Sequence, residues 1–534
     1  MRKQYLIAVI VGVGLFLTLG LVFDQTWSFW VLAGLSPIIL LGFYDMTQSK
    51  HSIRRNFPVL GNVRYLLESI RPEIMQYFVE TDTEGRPINR LHRTLIYQRS
   101  KDINDTTPFG TQLDVYKTGY EWMEHSLYPV KEHEIIHDPR VLVGGPDCKQ
   151  PYDMSLLNIS AMSFGSLSDR AVKALNGGAK RGNFAHNTGE GGVSPYHLEK
   201  GGDLIWQIGT GYFGCRATDG GFDPEKYIMN ATRPEVKMIE LKLSQGAKPG
   251  HGGILPASKN TEEIAEIRGV EPRTDVLSPP YHKAFNSPQE MMRFIQKLRE
   301  LSGGKPIGFK LCIGQRHEFM NLCLAMIETG IKPDFISIDG GEGGTGAAPV
   351  EFSNSLGMPL RDGLSFAHNC LVGFDLKKDI KIIASGKILT GFHVARVIAL
   401  GADAVNSARA MMMAVGCIQA LQCNNNTCPT GVATQNASLI RGLNVEDKEL
   451  RVFHFHKALI KSFVELLAAS GLKKADDISR RHINRRVSMN GTLAYDKLYP
   501  QIIENCLLNP ECDTPEDYQS WLDQANSTAV LFNI

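Results

Sequence analysis

The sequence predicts an α/β protein built on a (β/α)8 TIM barrel, preceded by a transmembrane helical hairpin. From about residue 150, short apolar runs rich in β-branched residues alternate with helix-like segments. Eight such runs fall within roughly 255 residues, which matches the size of one barrel. Small or polar residues end most of the runs, whereas the first 46 residues are strongly apolar. A doubly wound open sheet is the alternative fold, but it usually has fewer strands.

Two uncharged stretches predict the hairpin. They cover residues 5–23 and 28–44, and a bilayer core of about 30 Å requires roughly 17–25 helical residues. A secretory signal peptide is the alternative for the first stretch. Its apolar core would be only about 7–15 residues long and would end in a small-residue cleavage site. We therefore assign residues 1–46 to a membrane hairpin.

Basic residues flank the hairpin on one side. Arg2 and Lys3 precede the first span, Lys50, Arg54 and Arg55 follow the second, and the connecting turn has no Lys or Arg. The positive-inside rule then places both termini in the cytoplasm. We expect a multi-pass protein of the cell (inner) membrane, with its catalytic domain on the cytoplasmic side.

The eight candidate strands follow one another with helical segments between most of them. Each run is short enough for one barrel strand and is followed by residues suited to a loop. The runs cover residues 156–165, 183–192, 204–211, 238–250, 306–314, 335–341, 380–388 and 404–410.

Segments of different character lie on either side of the predicted barrel, which we place at 150–440. Residues 47–149 show little periodicity and are interpreted as a small N-terminal cap or linker domain. Residues 441–534 are predicted to form a helical C-terminal extension, because 448–471 has apolar residues at helical spacing. The basic run 480–486 is expected to be a solvated face, with phosphate or membrane-surface contact as the alternative.

Overall charge and cysteine content exclude two classes of protein. Lys+Arg number 57 and Asp+Glu 56, for a net charge of +1, so a general basic surface for nucleic acid is excluded. Ten cysteines in 534 residues do not make a dense disulfide framework.

The ends of the last two predicted strands resemble a phosphate site. In TIM barrels, phosphate groups often bind in the loops after strands seven and eight. Gly386 would let backbone amides approach a phosphate, and Ser407 and Arg409 offer further donors. On spacing alone, these segments could also be ordinary turns.

Lysines near strand ends suggest a second part of the site. Lys242, Lys248 and Lys310 all fall there, and Lys310 lies between Phe309 and Leu311 in an apolar run. A surface lysine snorkelling from its strand is the alternative. A charged residue in such a strand usually has a partner or a ligand, and a cation there could stabilise an anionic reduced flavin.

Three cysteines form the strongest local signal. Cys417, Cys423 and Cys428 fall within twelve residues, and Pro429 follows the third. Zinc sites favour four ligands with paired short spacings, whereas three thiolates suit a cluster of three irons, one per cysteine. Three buried structural cysteines are the alternative.

Four motifs together resemble the FMN-binding synthase domain of glutamate synthase over roughly residues 150–440. The most specific is AVGCIQALQCNNNTCPTGVATQ (414–435), and the others are NTGEGG (187–192), KLSQGAKPGHGG (242–253) and GGTGAAP (343–349). With two N-terminal spans and a helical tail, the chain is similar to the stand-alone, membrane-anchored glutamate synthase domain-containing proteins.

The resemblance implies a barrel that binds FMN and a [3Fe–4S] cluster. In that family, electrons pass from the cluster to FMN, and reduced flavin transfers a hydride to 2-iminoglutarate, formed from 2-oxoglutarate and ammonia. Matching positions imply cluster ligands, flavin-binding residues and substrate-facing residues. The ligands are Cys417, Cys423 and Cys428; the flavin-binding residues are Met162, Ser163, Lys310, Gly386, Ser407, Ala408 and Arg409; the catalytic residues are Glu190, Gln245, Lys248 and His251.

One departure from the family pattern affects the expected substrate. The family usually has KPGEGG where this chain has KPGHGG, so His251 replaces a carboxylate in the active-site loop. An imidazole changes both the charge and the available protons near an imine or oxo acid.

No glutaminase domain and no strand–GxGxxG–helix unit for NADPH is recognisable in the sequence. We therefore expect ammonia to come from solution or a partner. Electrons would come from an external donor such as ferredoxin, a reductase subunit or a membrane carrier.

Two functions remain open on this sequence; a third reading, a membrane-tethered barrel that has lost catalysis and serves as an interaction module, is disfavoured by the intact cysteine trio. The first is reductive amination of 2-oxoglutarate or a related 2-oxo acid by an FMN and iron–sulfur oxidoreductase acting on CH–NH2 donors. The second is electron transfer at the membrane by the same cofactors without amination. Small-molecule substrates and the membrane are the expected partners, and nucleic acid is not.

Overall fold

The computed structural model describes residues 1–530. The chain divides into two compact units, one formed by residues 1–90 and the other beginning at residue 91. This division has fewer boundaries than the sequence predicts. The predicted domain boundaries at 47, 150 and 441 stay predictions.

The first unit begins with two long apolar helices, α1 (Arg2–Leu21) and α2 (Trp27–Thr47). Both have the length and composition to cross a membrane, and they contact each other. The Tyr5 hydroxyl donates to the Ile39 carbonyl at 2.6 Å, which joins the two helices in an antiparallel pair. Two further helices complete this unit, namely α3 (Ser52–Asn56) and α4 (Gly61–Ile74), and a π-helical turn extends α4 over Met75–Val79.

Eight parallel strands of the second unit close into a barrel, which confirms the predicted TIM barrel. Each predicted run contains or overlaps one strand, and β8 pairs with β1 through Val405 and Leu157 to close the sheet. The strands are β1 (Leu157–Ile159), β2 (His186–Asn187), β3 (Leu204–Ile208), β4 (Val236–Lys242), β5 (Ile307–Leu311), β6 (Phe335–Asp339), β7 (Lys381–Ser385) and β8 (Ala404–Ser407).

One helix of the second unit, α5 (Arg90–Ser100), precedes the barrel, and the others lie between the strands or follow β8. Several begin at a side-chain cap; Ser168, for example, accepts from the amide of Ala171. The helices are α5 (Arg90–Ser100), α6 (Asp169–Gly182), α7 (Pro195–Leu198), α8 (Pro224–Ala231), α9 (Glu262–Arg268), α10 (Pro288–Leu301), α11 (Arg316–Thr329), α12 (Val350–Ser355), α13 (Leu360–Gly373), α14 (Gly391–Ala399), α15 (Arg409–Val415), α16 (Ala437–Ile440), α17 (Val445–Ala469), α18 (Tyr495–Leu498) and α19 (Glu516–Asp523).

An antiparallel pair of strands, Arg140–Val143 and Tyr152–Ser155, precedes β1. Its Val143 and Met154 are fully buried in one apolar cluster with residues from the starts of strands, among them Phe335. The N-terminal end of the barrel is therefore filled by apolar side chains, and polar chemistry is left to the C-terminal end.

The long helix α17 packs against α6. Gly178 lies directly beside Val452 and allows this close approach. The buried carboxylate of Glu449 accepts from Arg181 at 2.6 Å and lies 3.1 Å from the Lys200 ammonium. This part of the C-terminal region therefore belongs to the helical layer around the barrel.

The basic run 480–486 was expected to be a solvated face, and this prediction is wrong for its first residue. Arg480 is buried and donates to the Asn369 side chain at 2.9 Å. Residues Ile483–Arg486 form a strand paired with Glu121–Met123. Hydrogen bonds to buried acceptors compensate the desolvation of the guanidinium, and sequence composition alone could not show these acceptors.

Candidate active site

A buried ion pair joins the ends of two neighbouring strands at the C-terminal end of the barrel. The Lys310 ammonium on β5 lies 3.2 Å from a carboxylate oxygen of Asp339 on β6. Burial lowers the pKa of Lys310, but Asp339 and Glu240 outweigh burial and raise it. Lys310 is therefore held as a fixed positive charge near the barrel mouth.

A second ion pair lies across the same opening. The Glu190 carboxylate, in the loop after β2, is 2.9 Å from the ammonium of Lys242 at the end of β4. Burial raises the pKa of Glu190, but the positive charges of Lys242, Arg268 and Lys248 outweigh it and lower the pKa. Glu190 is therefore ionised at neutral pH and is surrounded by cations.

Lys248 contributes a further cation to the site, and its pKa is lowered. Its side chain is 2% exposed, and burial lowers the pKa of its ammonium to about 8, against the opposing charge of Glu190. A buried ammonium near neutrality is suited to bind a substrate carboxylate or to exchange a proton. Burial therefore brings the pKa of Lys248 closer to neutral pH than that of an ordinary lysine.

Arg268 and His282 lie on the same side of the barrel. The Arg268 guanidinium donates to the Phe164 carbonyl at 3.1 Å, and burial lowers its pKa to about 10. His282 lies 2.8 Å from the Lys242 carbonyl, and burial lowers the pKa of its imidazole to about 4. His282 is therefore neutral at physiological pH and helps to position the backbone of β4.

Glu240 lies deeper in the barrel and was missed by sequence analysis. Its carboxylate accepts from Asn187 at 2.8 Å, from Gln207 at 2.6 Å and from the Ser337 hydroxyl at 2.5 Å. A buried carboxylate with three donors orders the strands that carry them. The available signal was a single acidic residue in the apolar run of β4, two residues before Lys242.

Gln245 and His251 lie in the loop after β4, as their positions in the sequence imply. The amide of Gly246, next to Gln245, donates to Asp339 at 2.9 Å, which ties this loop to the end of β6. The His251 ring lies 2.9 Å from the Gly252 carbonyl and contacts Phe352 edge-on. The structure thus gives His251 a local backbone partner and an aromatic neighbour.

Met162 and Ser163 occupy the loop after β1. The Met162 amide donates to the Asn187 carbonyl at 3.1 Å, and its own carbonyl lies 3.3 Å from the His197 ring. The Ser163 hydroxyl lies 2.8 Å from that of Ser166. Backbone contacts therefore hold this loop beside the loop after β2.

Gly386, Ser407 and Ala408 lie at the C-terminal ends of β7 and β8. The Ser407 hydroxyl donates to the Ile388 carbonyl at 2.7 Å, so it joins the two loops. Ala408 immediately precedes α15. The residues of the predicted phosphate site are therefore adjacent at the C-terminal ends of these strands.

Arg409 joins the barrel mouth to the cysteine loop. Its guanidinium donates to the Glu342 carbonyl at 3.0 Å. Burial lowers the pKa of Arg409, while Asp339, Cys417 and Cys423 oppose this shift. One side chain therefore lies within electrostatic range of the mouth and of two predicted cluster ligands.

The three cysteines of the predicted cluster lie within electrostatic range of one another. Among residues 1–530, no three His, Cys, Asp or Glu side chains are placed to hold one metal ion. A three-iron cluster does not require that arrangement, because each cysteine binds a different iron. The proximity of the three thiols is therefore compatible with a cluster.

The individual thiols differ in their surroundings. Burial raises the pKa of Cys417 to about 11. Burial also raises the pKa of Cys428, but hydrogen bonds from Thr430 and from the amides of Val432 and Ala433 outweigh it and lower the pKa. Donors directed at sulfur are typical of iron–sulfur sites, so the donor set at Cys428 fits such a cluster.

The loop between the cysteines has an unusual backbone. Gln419, Leu421 and Asn426 all have positive φ angles, between 57° and 60°, a conformation that non-glycine residues adopt only when neighbours hold it. Asn426 is held by the Thr434 hydroxyl, which donates to its carbonyl at 2.6 Å, and by the Gln435 amide. The CPTGVATQ segment therefore fixes the cysteine loop.

Lys259 is another site residue that sequence analysis missed. Its buried ammonium donates to the carbonyl of Cys423 at 2.7 Å and to that of Ala433 at 3.0 Å. It also lies within electrostatic range of the Cys423 and Cys428 thiols. No motif around Lys259 indicates this role, because these two acceptors are more than 160 residues away in the chain.

Sequence comparisons show the family. The model described as the conserved region in glutamate synthase matches residues 143–473. The glutamate synthase large subunit-like protein YerD of Bacillus subtilis is 38% identical over 88% of this chain and 96% of its own length. The archaeal glutamate synthase [NADPH] of Methanocaldococcus jannaschii is 33% identical over 62% of each chain.

Solved structures give a weaker likeness. A putative lactate oxidase of Pediococcus acidilactici matches with 13% identity and a TM-score of 0.43 over 78% of this chain and 98% of its own. The flavin-binding domain of baker's yeast flavocytochrome b2 matches with 12% identity and a TM-score of 0.41, over 80% of this chain and 86% of its own. Family membership therefore depends on the sequence matches: the chain belongs to the glutamate synthase family of oxidoreductases.

Proposed function

We propose that this protein is an FMN and iron–sulfur oxidoreductase that reductively aminates 2-oxoglutarate or a related 2-oxo acid. The observation that carries the proposal is the position of Arg409, whose guanidinium donates to the Glu342 carbonyl in the loop after β6 at 3.0 Å and lies within electrostatic range of Cys417 and Cys423. A flavin at the mouth and a cluster at the thiols would then be close enough to exchange electrons.

The residues at the mouth fit a flavin. The buried Lys248 ammonium makes no side-chain hydrogen bond among the described residues, so it is available to an anionic ligand. Lys310 adds a fixed positive charge near the proposed ring, and Gly386, Ser407 and Ala408 would hold the phosphate. Met162 and Ser163 would border the ring from the loop after β1.

The thiols of Cys417, Cys423 and Cys428 would hold a [3Fe–4S] cluster, as the sulfur-directed donors at Cys428 support. When bound, the cluster supplies electrons and reduced FMN supplies the hydride that reduces the imine carbon. The remaining tasks fall to the side chains of the protein.

Binding and orientation of the substrate follow from the charges at the mouth. Lys248 would pair with a carboxylate of the oxo acid, with Gln245 in the same loop as a neutral donor. The Glu190 carboxylate, which is paired with the Lys242 ammonium, would partly neutralise this positive charge and hold the side chains of Lys242 and Lys248 in place. Such positioning supplies much of the rate enhancement when the cofactor carries out the chemistry.

His251 is the group that could move a proton at the substrate nitrogen. It replaces a carboxylate of the family pattern, and an imidazole can donate as well as accept near neutral pH. We therefore propose that the substrate is a 2-oxo acid whose fit depends on this imidazole.

We also propose that α1 and α2 anchor the protein in the cell membrane, with the barrel in the cytoplasm. Their lengths of 20 and 21 residues are sufficient to span a bilayer. The basic residues on both outer flanks support this orientation. An external carrier would supply electrons, either a soluble protein or a carrier within the membrane.

A direct assay uses the full-length protein, purified anaerobically in detergent and reduced with dithionite. Addition of 2-oxoglutarate and 15N-ammonium should yield 15N-glutamate, detected by mass spectrometry. Omission of ammonium and the Lys248→Met variant serve as controls. If flavin and cluster are present and reoxidise with quinone, but no tested oxo acid is aminated, electron transfer without amination is the better description.

A further inference from the structure

The segment that follows the two apolar helices has an exposed apolar face. In α4 and its π-helical extension, apolar residues recur at positions i, i+3, i+4, i+7 and i+11, so they form one stripe along the helix. All are solvent-exposed; Leu66 is 60% and Phe78 is 85% exposed. The stripe consists of Val63, Leu66, Leu67, Ile70, Ile74, Tyr77 and Phe78.

The face opposite the stripe carries polar residues together with Tyr65 and Pro72, and the two borders of the stripe differ in charge. Arg64 and Arg71 lie on one border, where Arg64 is 3.5 Å from Glu68. Glu73 lies on the other border, and Ser69 lies beyond it, outside the stripe. Arg54, just upstream, is stacked on the Tyr65 ring at 4.4 Å. An apolar stripe with Arg at its edge is the pattern of a helix that lies in the interface of a membrane.

The position of α4 relative to α2 indicates what covers the stripe. Asp45, near the end of α2, is fully buried and accepts from the Val59 amide at 2.9 Å and from Asn62 at 2.6 Å. These bonds hold the start of α4 close to the predicted cytoplasmic end of the second span. A helix held at that position would lie at the level of the lipid headgroups.

We infer that residues 61–79 lie in the cytoplasmic headgroup region of the bilayer, with the stripe directed into the lipid. The arginines at its border favour a surface of anionic lipid. This inference depends on the proposed membrane anchor and adds a third membrane contact to it.

Photo-crosslinking tests the inference in the full-length chain, reconstituted in nanodiscs that contain phosphatidylglycerol. p-Benzoylphenylalanine would replace Leu67 on the stripe, Ser69 on the polar face as the matched control, and Leu15 within α1 as the anchor control. We expect lipid adducts at Leu15 and Leu67, with about tenfold less adduct at Ser69.

Each other outcome has a distinct meaning. Lipid adducts at Leu15 without adducts at Leu67 overturn this inference alone and leave the anchor intact. A crosslinked dimer from Leu67 would show that a second copy covers the stripe, and an internal crosslink would show that the same chain covers it; both overturn the inference. No lipid adduct at Leu15 overturns the anchor and the inference together.

Discussion

Lys310 and Asp339 form a buried ion pair between adjacent strands of the barrel, with 3.2 Å between ammonium and carboxylate. Asp339 also accepts from the Gly246 amide, so the same carboxylate positions the loop that carries Lys248. The central residues of the proposed site are therefore linked through one acidic side chain at the end of β6.

The Asp339→Asn variant should destabilise the protein. Removing one charge of a buried pair leaves the other uncompensated, at a cost of about 3 kcal/mol. The free energy of unfolding can be measured by urea denaturation of the detergent-solubilised protein. Asp375→Asn is the matched control, because Asp375 belongs to an exposed pair with Lys378 and should change stability by less than about 1 kcal/mol. Equal effects of the two variants would contradict a special role for Asp339.

The Lys248→Met variant should be more stable but inactive. The lowered pKa of Lys248 means that the folded protein disfavours its charge, so an apolar side chain of similar length removes that penalty, about 1–3 kcal/mol. The substrate would lose its carboxylate partner, and kcat/KM for the oxo acid should fall by at least about 100-fold. Thermal unfolding and steady-state kinetics check the two effects, and an active variant would exclude Lys248 from substrate binding.

Activity should decrease at alkaline pH through Lys248. Its ammonium, with a pKa of about 8 in the free enzyme, loses its charge as pH rises, so kcat/KM should fall with an apparent pKa near 8. Folding stability is expected to change with pH in the opposite direction to activity. Between about pH 8 and the pKa of 10.5 expected for an unfolded lysine, the unfolded chain binds more protons, so stability should rise with pH.

A pH–rate profile of the Lys248→Arg variant is the control for this assignment. Arginine keeps its charge throughout this range, so any activity that remains should show no fall near pH 8. An unchanged profile would assign the titration to another group.

The Lys259→Met variant should lose iron from the cluster site. Its ammonium donates to the carbonyls of Cys423 and Ala433, and without it those buried carbonyls lose their donor and the loop loosens. Second-layer substitutions of this kind typically weaken metal binding by about 10–100-fold. Iron per chain should therefore fall on dilution or chelation, while Lys461→Met, at an exposed helical lysine, should retain iron. Full iron retention by both variants would limit Lys259 to a packing role.

The barrel could be predicted from sequence because its strands are buried on both faces and appear as short apolar runs. The run 183–192 shows the limit of this signal, since only His186–Asn187 forms a strand and the residues after it build the site loop around Glu190. Strand positions follow from local pattern, whereas strand ends depend on contacts with neighbouring loops.

The unpredicted site residues are those whose roles arise from contacts distant in sequence. Glu240 and Asp339 are single acidic residues in apolar strands, and their partners become evident only when the strands are adjacent. Lys259 belongs to no motif at all. Arg480 was misplaced for the same reason, because its buried acceptors lie on other elements.

The cofactor content of the intact protein tests the central claim most directly. Full-length protein purified anaerobically should be coloured and contain about one FMN and about three irons per chain, with an iron–sulfur EPR signal that disappears in Cys428→Ser. Cys512→Ser, outside the cysteine loop, should keep all three properties. A colourless, iron-free protein under the same handling would contradict a flavin and cluster joined at the mouth of this barrel.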